Sequence, residues 1–236
     1  MATLVEKFFD DKDALTAELS ATLEQSLRDG IKNDGRAVLM VSGGSSPAPA
    51  YKHLSTLDLD WQHVDVAMVD ERWVDPNHEK SNEAFIKSTL LQNHGSAANF
   101  ITMKNAAATA QQGAQECEAA YSELKSPYDV TILGMGPDGH TASLFPNADG
   151  LEHGLTTEQT VCAINAIQSD VTGSITERMT LTLNAIAQSK VVKLLISGEE
   201  KLAVYKQAKA GGDVNDMPLR AVLNHPSINI EVYWAP

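Results

Sequence analysis

Residues 128–133 (YDVTIL) read as a short, mostly apolar strand, and the chain leaves it through Gly134, Gly136, Pro137 and Gly139 within the stretch GMGPDGHTASLFP, residues 134–146. A buried strand that breaks into a glycine-rich turn constrains the fold strongly. It fits the strand-to-helix junction of an open α/β sheet, where ligands bind in the crevice outside the carboxyl ends of the strands. Asp138 and His140 sit two residues apart in this turn. A carboxylate and an imidazole delivered to that edge suit acid–base chemistry. The same residue types also close tight turns by capping backbone groups, and this segment alone leaves both readings open.

The rest of the chain repeats the pattern. Leu15, Leu19, Leu23, Leu27 and Ile31 recur every four residues and predict an amphipathic helix over 12–33, closed near Gly35. Strands are predicted over 36–41, 64–69, 99–103, 161–167, 178–183, 191–197 and 228–234. Helices are predicted after Pro49, with Tyr51 and Leu54 on one face, over 81–92 with Asn82 as a cap, over 109–124, from Gly198 onward and over 218–223. Residues 146–160 read as a loop. Strands alternating with helices predict an α/β fold with a mainly parallel sheet covered on both faces. With no repeat and no linker-like stretch, residues 1–236 are expected to form a single domain.

Composition excludes some classes of function. A formal net charge of −13 argues against a general nucleic-acid binder, which needs clustered Lys and Arg to neutralise phosphates. A small anionic substrate remains compatible, because a few local cations and helix N-termini outweigh a diffuse field. The two cysteines, Cys117 and Cys162, form no disulfide framework and no zinc spacing. No stretch has the apolar length of a signal core or a membrane span, so a cytoplasmic location without a membrane partner is expected.

Three further segments carry candidate chemistry. Ser42-Gly43-Gly44-Ser45-Ser46-Pro47 follows a strand and precedes a helix, so its backbone N–H groups suit a phosphate. It lacks the Lys of a P-loop and the glycine spacing of a dinucleotide fingerprint, and Ser/Gly turns are common. Asp70, Glu71 and Arg72 follow the strand over 64–69. Arg72 suits an oxyanion and Asp70 a ligand hydroxyl or the orientation of a base, against the alternative of a solvated ion pair. Arg178 and Lys201 are lone cations able to neutralise a phosphate or to sit on the surface. The other histidines show no metal-ligand spacing, the serines no G-x-S-x-G elbow, and Trp61, Trp73 and Trp234 read as packing residues.

The set SGGSSP, VDERWV followed by SNEAF, and LGMGPDGHTASLFP resembles the 6-phosphogluconolactonase family, within the superfamily that also holds glucosamine-6-phosphate isomerase/deaminase. The likeness runs from the Gly/Ser turn to the SGEEK segment. It implies a Rossmann-like α/β/α sandwich and hydrolysis of 6-phospho-D-glucono-1,5-lactone in the oxidative pentose phosphate pathway, with no metal or organic cofactor. It implies His140 as general base, Asp138 and Asp70 as supporting carboxylates and Arg72 on the oxyanion. Ser42, Gly43, Gly44, Ser45, Ser46, Arg178 and Lys201 would hold the phosphorylated substrate. The expected partner is that sugar lactone alone, for a monomer or small homo-oligomer. Two alternatives stand beside it: a glucosamine-6-phosphate deaminase/isomerase and a non-catalytic sugar-phosphate-binding domain. The deaminase branch carries a glutamate five residues after the histidine, where this chain has Phe145. A binding module of a transcription regulator would bring a basic helix-turn-helix segment, and none is recognised here.

Overall fold

The computed structural model describes residues 2–236. Ten strands and eight α-helices follow in chain order. The first half holds β1 (Leu4–Phe8), α1 (Lys12–Asp34), β2 (Ala37–Val41), α2 (Ala48–Ser55), β3 (Val64–Met68), β4 (Asp70–Arg72), α3 (Asn82–Thr89), β5 (Asn99–Ile101), α4 (Ala110–Ser122) and β6 (Val130–Gly134). The second half holds α5 (Leu151–Thr156), β7 (Val161–Asn165), β8 (Glu177–Leu181), α6 (Leu183–Ala187), β9 (Val192–Ser197), α7 (Glu199–Lys209), α8 (Leu219–Leu223) and β10 (Ile230–Ala235).

Seven strands form one parallel sheet in the order β1-β10-β9-β6-β2-β3-β5, with helices flanking it. β2 and β3 are buried at every residue, as strands covered on both faces must be. The leucine repeat of α1 buries Leu15, Leu19, Leu23 and Leu27, and the helix packs on β2 and β10. Asp11 accepts from the Ala14 N–H at 2.8 Å at its start, and Gly35, at φ +74°, ends it.

The chain moves outward from β2 to β3 and β5, then returns to the other side of β2 with β6 and moves outward again through β9 and β10. The strand order therefore reverses between β2 and β6, and a crevice opens at such a point. Asp129, immediately before β6 and 3% exposed, pins this junction. Its backbone N–H donates to the Val38 carbonyl at 3.0 Å, and its Oδ2 accepts from the Val38 N–H at 2.7 Å. Lys125 and Lys190 neutralise it at 2.8 and 2.7 Å.

Several elements differ from the sequence reading. Asp70–Arg72 is a strand, β4, and it enters a second, antiparallel sheet of order β4-β8-β7. β1 went unread because LVEKF is a charged, mostly exposed edge strand without a clean apolar alternation. Residues 146–160 contain α5, entered from Gly150 and anchored by the buried Leu151. Ser81 caps α3 by accepting from the Ala84 N–H at 3.2 Å, which frees Asn82 for other contacts. No helix among the described residues is long and apolar enough to cross a membrane.

Asp129→Ala strips the charge partner of two lysines and the acceptor of a buried N–H. We expect a loss of about 3 kcal/mol in urea unfolding, the scale for breaking a buried ion pair from one side.

Candidate active site

Four adjacent strands, β9, β6, β2 and β3, send their C-terminal ends to one cleft of about 360 Å³. Ser42–Ser46 reaches it from β2, and Asp70 and Arg72 from beyond β3. His140 comes from the turn after β6 and Lys201 from α7 after β9. The serine-rich bend and the histidine thus face the same space. Asp138 and Arg178 do not line it.

The bend after β2 is held from behind: the Tyr51 hydroxyl of α2 donates to the Ser42 carbonyl at 3.0 Å. Gly43 is required by close approach, since a Cβ there would lie 2.1 Å from Asn82 Oδ1. The bend therefore lies directly against the start of α3.

Strand alternation explains the DER segment. Successive side chains of a strand point to opposite faces, so Asp70 and Arg72 line the cleft while Glu71 turns away from it. Asp70 Oδ2 accepts from the Ser143 hydroxyl at 2.6 Å, and Asp70 Oδ1 from Asn82 Nδ2 at 3.2 Å. Arg72 donates through Nη1 to the Lys80 carbonyl at 3.0 Å and to Asn82 Oδ1 at 2.9 Å. Glu71, 1% exposed, accepts from the N–H groups of Arg72, Asn82 and Glu83 at 2.7–2.8 Å and from the Ser81 hydroxyl at 2.9 Å. A solvated ion pair is not what these residues form.

His140 Nδ1 lies 2.5 Å from Asp138 Oδ1. Burial pushes the Asp138 pKa up, but the hydrogen bond and charge of His140 outweigh it and hold the carboxyl below its usual value. An ionised carboxylate only accepts, so Nδ1 keeps its proton beside Asp138, and in the neutral ring the lone pair is on Nε2. Gly136 makes room for the pair: a Cβ there would lie 2.1 Å from the imidazole and 2.7 Å from Asp138 Oδ1. The Phe145 ring stacks on the imidazole, with centroids 4.2 Å apart.

The resemblance assigns a phosphate contact to both Arg178 and Lys201, and the structure separates them. Lys201 lines the cleft, whereas Arg178 is 4% exposed. Its Nε and Nη2 donate to the carbonyls of Ile175 and Thr172 at 2.9 and 3.2 Å, and its guanidinium lies over Phe145. Burial lowers its pKa to about 10, Asp70 opposes that shift, and Arg72, its cross-strand neighbour, adds to it. Arg178 thereby ties down the segment carrying Val171, which does line the cleft. Asn82 and Ser143 are site residues that sequence reasoning missed. Asn82 gives one signal in the sequence, a polar side chain at the start of an amphipathic helix, which by itself predicts a cap. Among the described residues no group of three or more His, Cys, Asp or Glu side chains is arranged to hold a metal ion.

A family model described as glucosamine-6-phosphate isomerases/6-phosphogluconolactonase matches residues 10–234. The chain belongs to this family. Within it, the chain is 37% identical over 230 residues to a 6-phosphogluconolactonase of Rhizobium meliloti (strain 1021), covering 97% of each. It is 37% identical over 218 residues to the 6-phosphogluconolactonase of Pseudomonas aeruginosa, covering 92% of this chain and 89% of that protein. A crystal structure of a 6-phosphogluconolactonase from Shewanella baltica superposes with a TM-score of 0.94 at 39% identity, over 99% of this chain and 98% of that one. The Rossmann-like α/β/α architecture and the family read from the motifs agree with these findings.

The Asp138 pKa is depressed on folding, so its contribution to stability is present above the unfolded carboxylate range and is lost as pH falls through the folded value. In urea unfolding, wild type should exceed Asp138→Asn near neutrality, with the difference shrinking below about pH 4. A difference that grows on acidification would contradict the ionised Asp138–His140 pair.

Proposed function

We propose that this chain hydrolyses 6-phospho-D-glucono-1,5-lactone to 6-phosphogluconate through its own side chains and backbone, acting as a single domain with His140 as general base. The observation that carries the reading is His140, paired from behind with Asp138, opening onto the same cleft as the Ser42–Ser46 bend, Arg72 and Lys201. The similarity to relatives named 6-phosphogluconolactonase over nearly the whole chain supports it.

The substrate phosphate docks at the Gly43–Gly44 backbone and the Ser45 and Ser46 region, with Lys201 supplying the near cation and Arg178 adding charge from one layer behind. His140 Nε2 takes a proton from water as the water oxygen bonds to the lactone carbonyl carbon. Arg72 stabilises the oxyanion that forms. When the tetrahedral intermediate collapses, the bond from that carbon to the ring oxygen breaks, and the imidazolium returns its proton to the departing oxygen. Asp138 keeps Nδ1 protonated throughout and favours the charged ring. Asp70 meets ligand hydroxyls from a carboxylate already fixed by Ser143 and Asn82. The deaminase alternative loses ground at Phe145, because the aromatic ring stacked on His140 cannot move the protons that an aldose–ketose isomerisation requires.

In an assay with freshly generated lactone, corrected for spontaneous hydrolysis, His140→Ala should lower kcat by about 10²–10⁴-fold, the usual worth of a positioned general base. Lys201→Ala should act chiefly on KM. Turnover unchanged in the His140 variant removes this mechanism. Ammonia release from glucosamine 6-phosphate without lactone hydrolysis reverses the functional assignment.

A further inference from the structure

Asn82 is 5% exposed, yet it lines the cleft, and both ends of its amide are committed. Nδ2 donates to the Asp70 carbonyl at 3.0 Å and to Asp70 Oδ1 at 3.2 Å, while Oδ1 accepts from Arg72 Nη1 at 2.9 Å. The same oxygen faces Gly43 so closely that no Cβ fits between them. One side chain therefore joins the phosphate bend, the Asp70 carboxylate and the Arg72 guanidinium.

The end of α3 does not need this amide. Ser81 already caps it, and Glu71 takes the backbone N–H groups of Asn82 and Glu83. Charge gives the amide its special value. A primary amide offers donors on one side and an acceptor on the other, with no net charge. It holds a guanidinium and a carboxylate in fixed relation and neutralises neither. The other acceptor of Arg72 Nη1, the Lys80 carbonyl, is also neutral. Arg72 is thus oriented by neutral oxygens and keeps its full charge for a developing oxyanion. A carboxylate at the position of the amide would hold Arg72 as firmly but would compensate that charge, and it would also face Asp70.

We propose that Asn82 is a positioning residue for the hydrolysis, aiming an uncompensated Arg72 at the reacting carbonyl and fixing it relative to Asp70 and the Gly43 bend. The inference rests on the lactonase reading above and adds a requirement for neutrality at residue 82.

The test uses Asn82→Ala, Asn82→Asp and Gly43→Ala, each measured for kcat and KM on freshly generated lactone from about pH 6 to 8 and for thermal unfolding. Misplacing a reacting group by about 1 Å costs on the order of 10²-fold in rate. Asn82→Ala should therefore lose about 10- to 100-fold in kcat, with KM changed by less than about threefold. Asn82→Asp, nearly identical in shape, should be slower than Asn82→Ala across this range, because a carboxylate beside Arg72 stays ionised throughout it. Gly43→Ala keeps the amide but forces it to move, so it should also lower kcat. Because Asn82→Asp and Gly43→Ala remove no side-chain volume, they carry the test if Asn82→Ala fails to fold. A merely structural role predicts lowered melting temperatures with kcat per folded molecule unchanged, and that result overturns the proposal. So does an Asn82→Asp enzyme at least as fast as Asn82→Ala at every pH. An active wild type with unimpaired variants removes this inference alone, whereas a wild type that leaves the lactone intact removes the functional reading together with it.

Discussion

The buried Glu71 carboxylate holds together a site that it does not line. Burial raises its pKa above the usual carboxylate value, and the hydrogen bonds from the Asn82 and Glu83 N–H groups, the Ser81 hydroxyl and the Arg72 N–H offset only part of that rise. Two of those donors are among the first N–H groups of α3, which have no partner inside the helix. The carboxylate therefore fastens the positive end of a helix to the strand that carries Asp70 and Arg72. Antiparallel pairing with β8 holds that strand from its other side. Without this anchoring, three charged residues after β3 would face water and find no fixed direction.

The electrostatics of the cleft run against those of the whole chain. The molecule carries a formal charge of −13, and its proposed substrate is an anion. Arg72 and Lys201 line the cleft, Arg178 lies behind it, and the backbone of the Gly43–Gly44 bend adds N–H dipoles. At short range and partly out of water these groups outweigh distant surface carboxylates, which salt screens over roughly 8–10 Å. Among the described residues Asp70 is the one carboxylate in the lining, and it is fixed by two neutral donors rather than by a cation. Most ion pairs lie elsewhere, as between Lys190 and Asp129 or Lys193 and Glu231, so the cations of the cleft remain available to a ligand.

Much of this was legible in the sequence because it follows from local pattern. The leucine repeat of α1, the apolar strands and the glycine turn after β6 each identify themselves within ten or twenty residues. Recognisable motifs then located His140, the Ser42–Ser46 bend, Asp70, Arg72 and Lys201, all of which meet at one cleft. The misses depend on tertiary partners. β4 reads as a charged loop until β8 is seen beside it, more than a hundred residues later. Asn82 reads as a cap because its three partners lie in other segments. Arg178 looks like a free cation, and only the fold reveals that it is buried, with Nε and Nη2 donating to the carbonyls of Ile175 and Thr172. β1 is an edge strand whose pairing with β10 joins opposite ends of the chain.

The sheet also dictates how the two ends of the site relate. Neighbouring strands lie about 4.8 Å apart, so the four strand ends at the cleft form a row of roughly 14 Å. Along that row come Lys201 after β9, His140 after β6, the Ser42–Ser46 bend after β2, and Asp70 and Arg72 beyond β3. His140, the proposed base, thus rises between Lys201 and the bend, the two elements proposed to hold the phosphate, and the guanidinium stands at the far end, hydrogen-bonded to Asn82. A ligand whose phosphate is held by the bend and Lys201 must extend its carbonyl across the mouth of the turn that carries His140. The Phe145 ring and the Asp138 carboxylate limit rotation of the imidazole in that turn, so the direction of the ring follows from packing beneath it rather than from the ligand. Such preorganisation suits a reactive ester, because the chemistry asks mainly for a water and a carbonyl held in line and for little further barrier reduction.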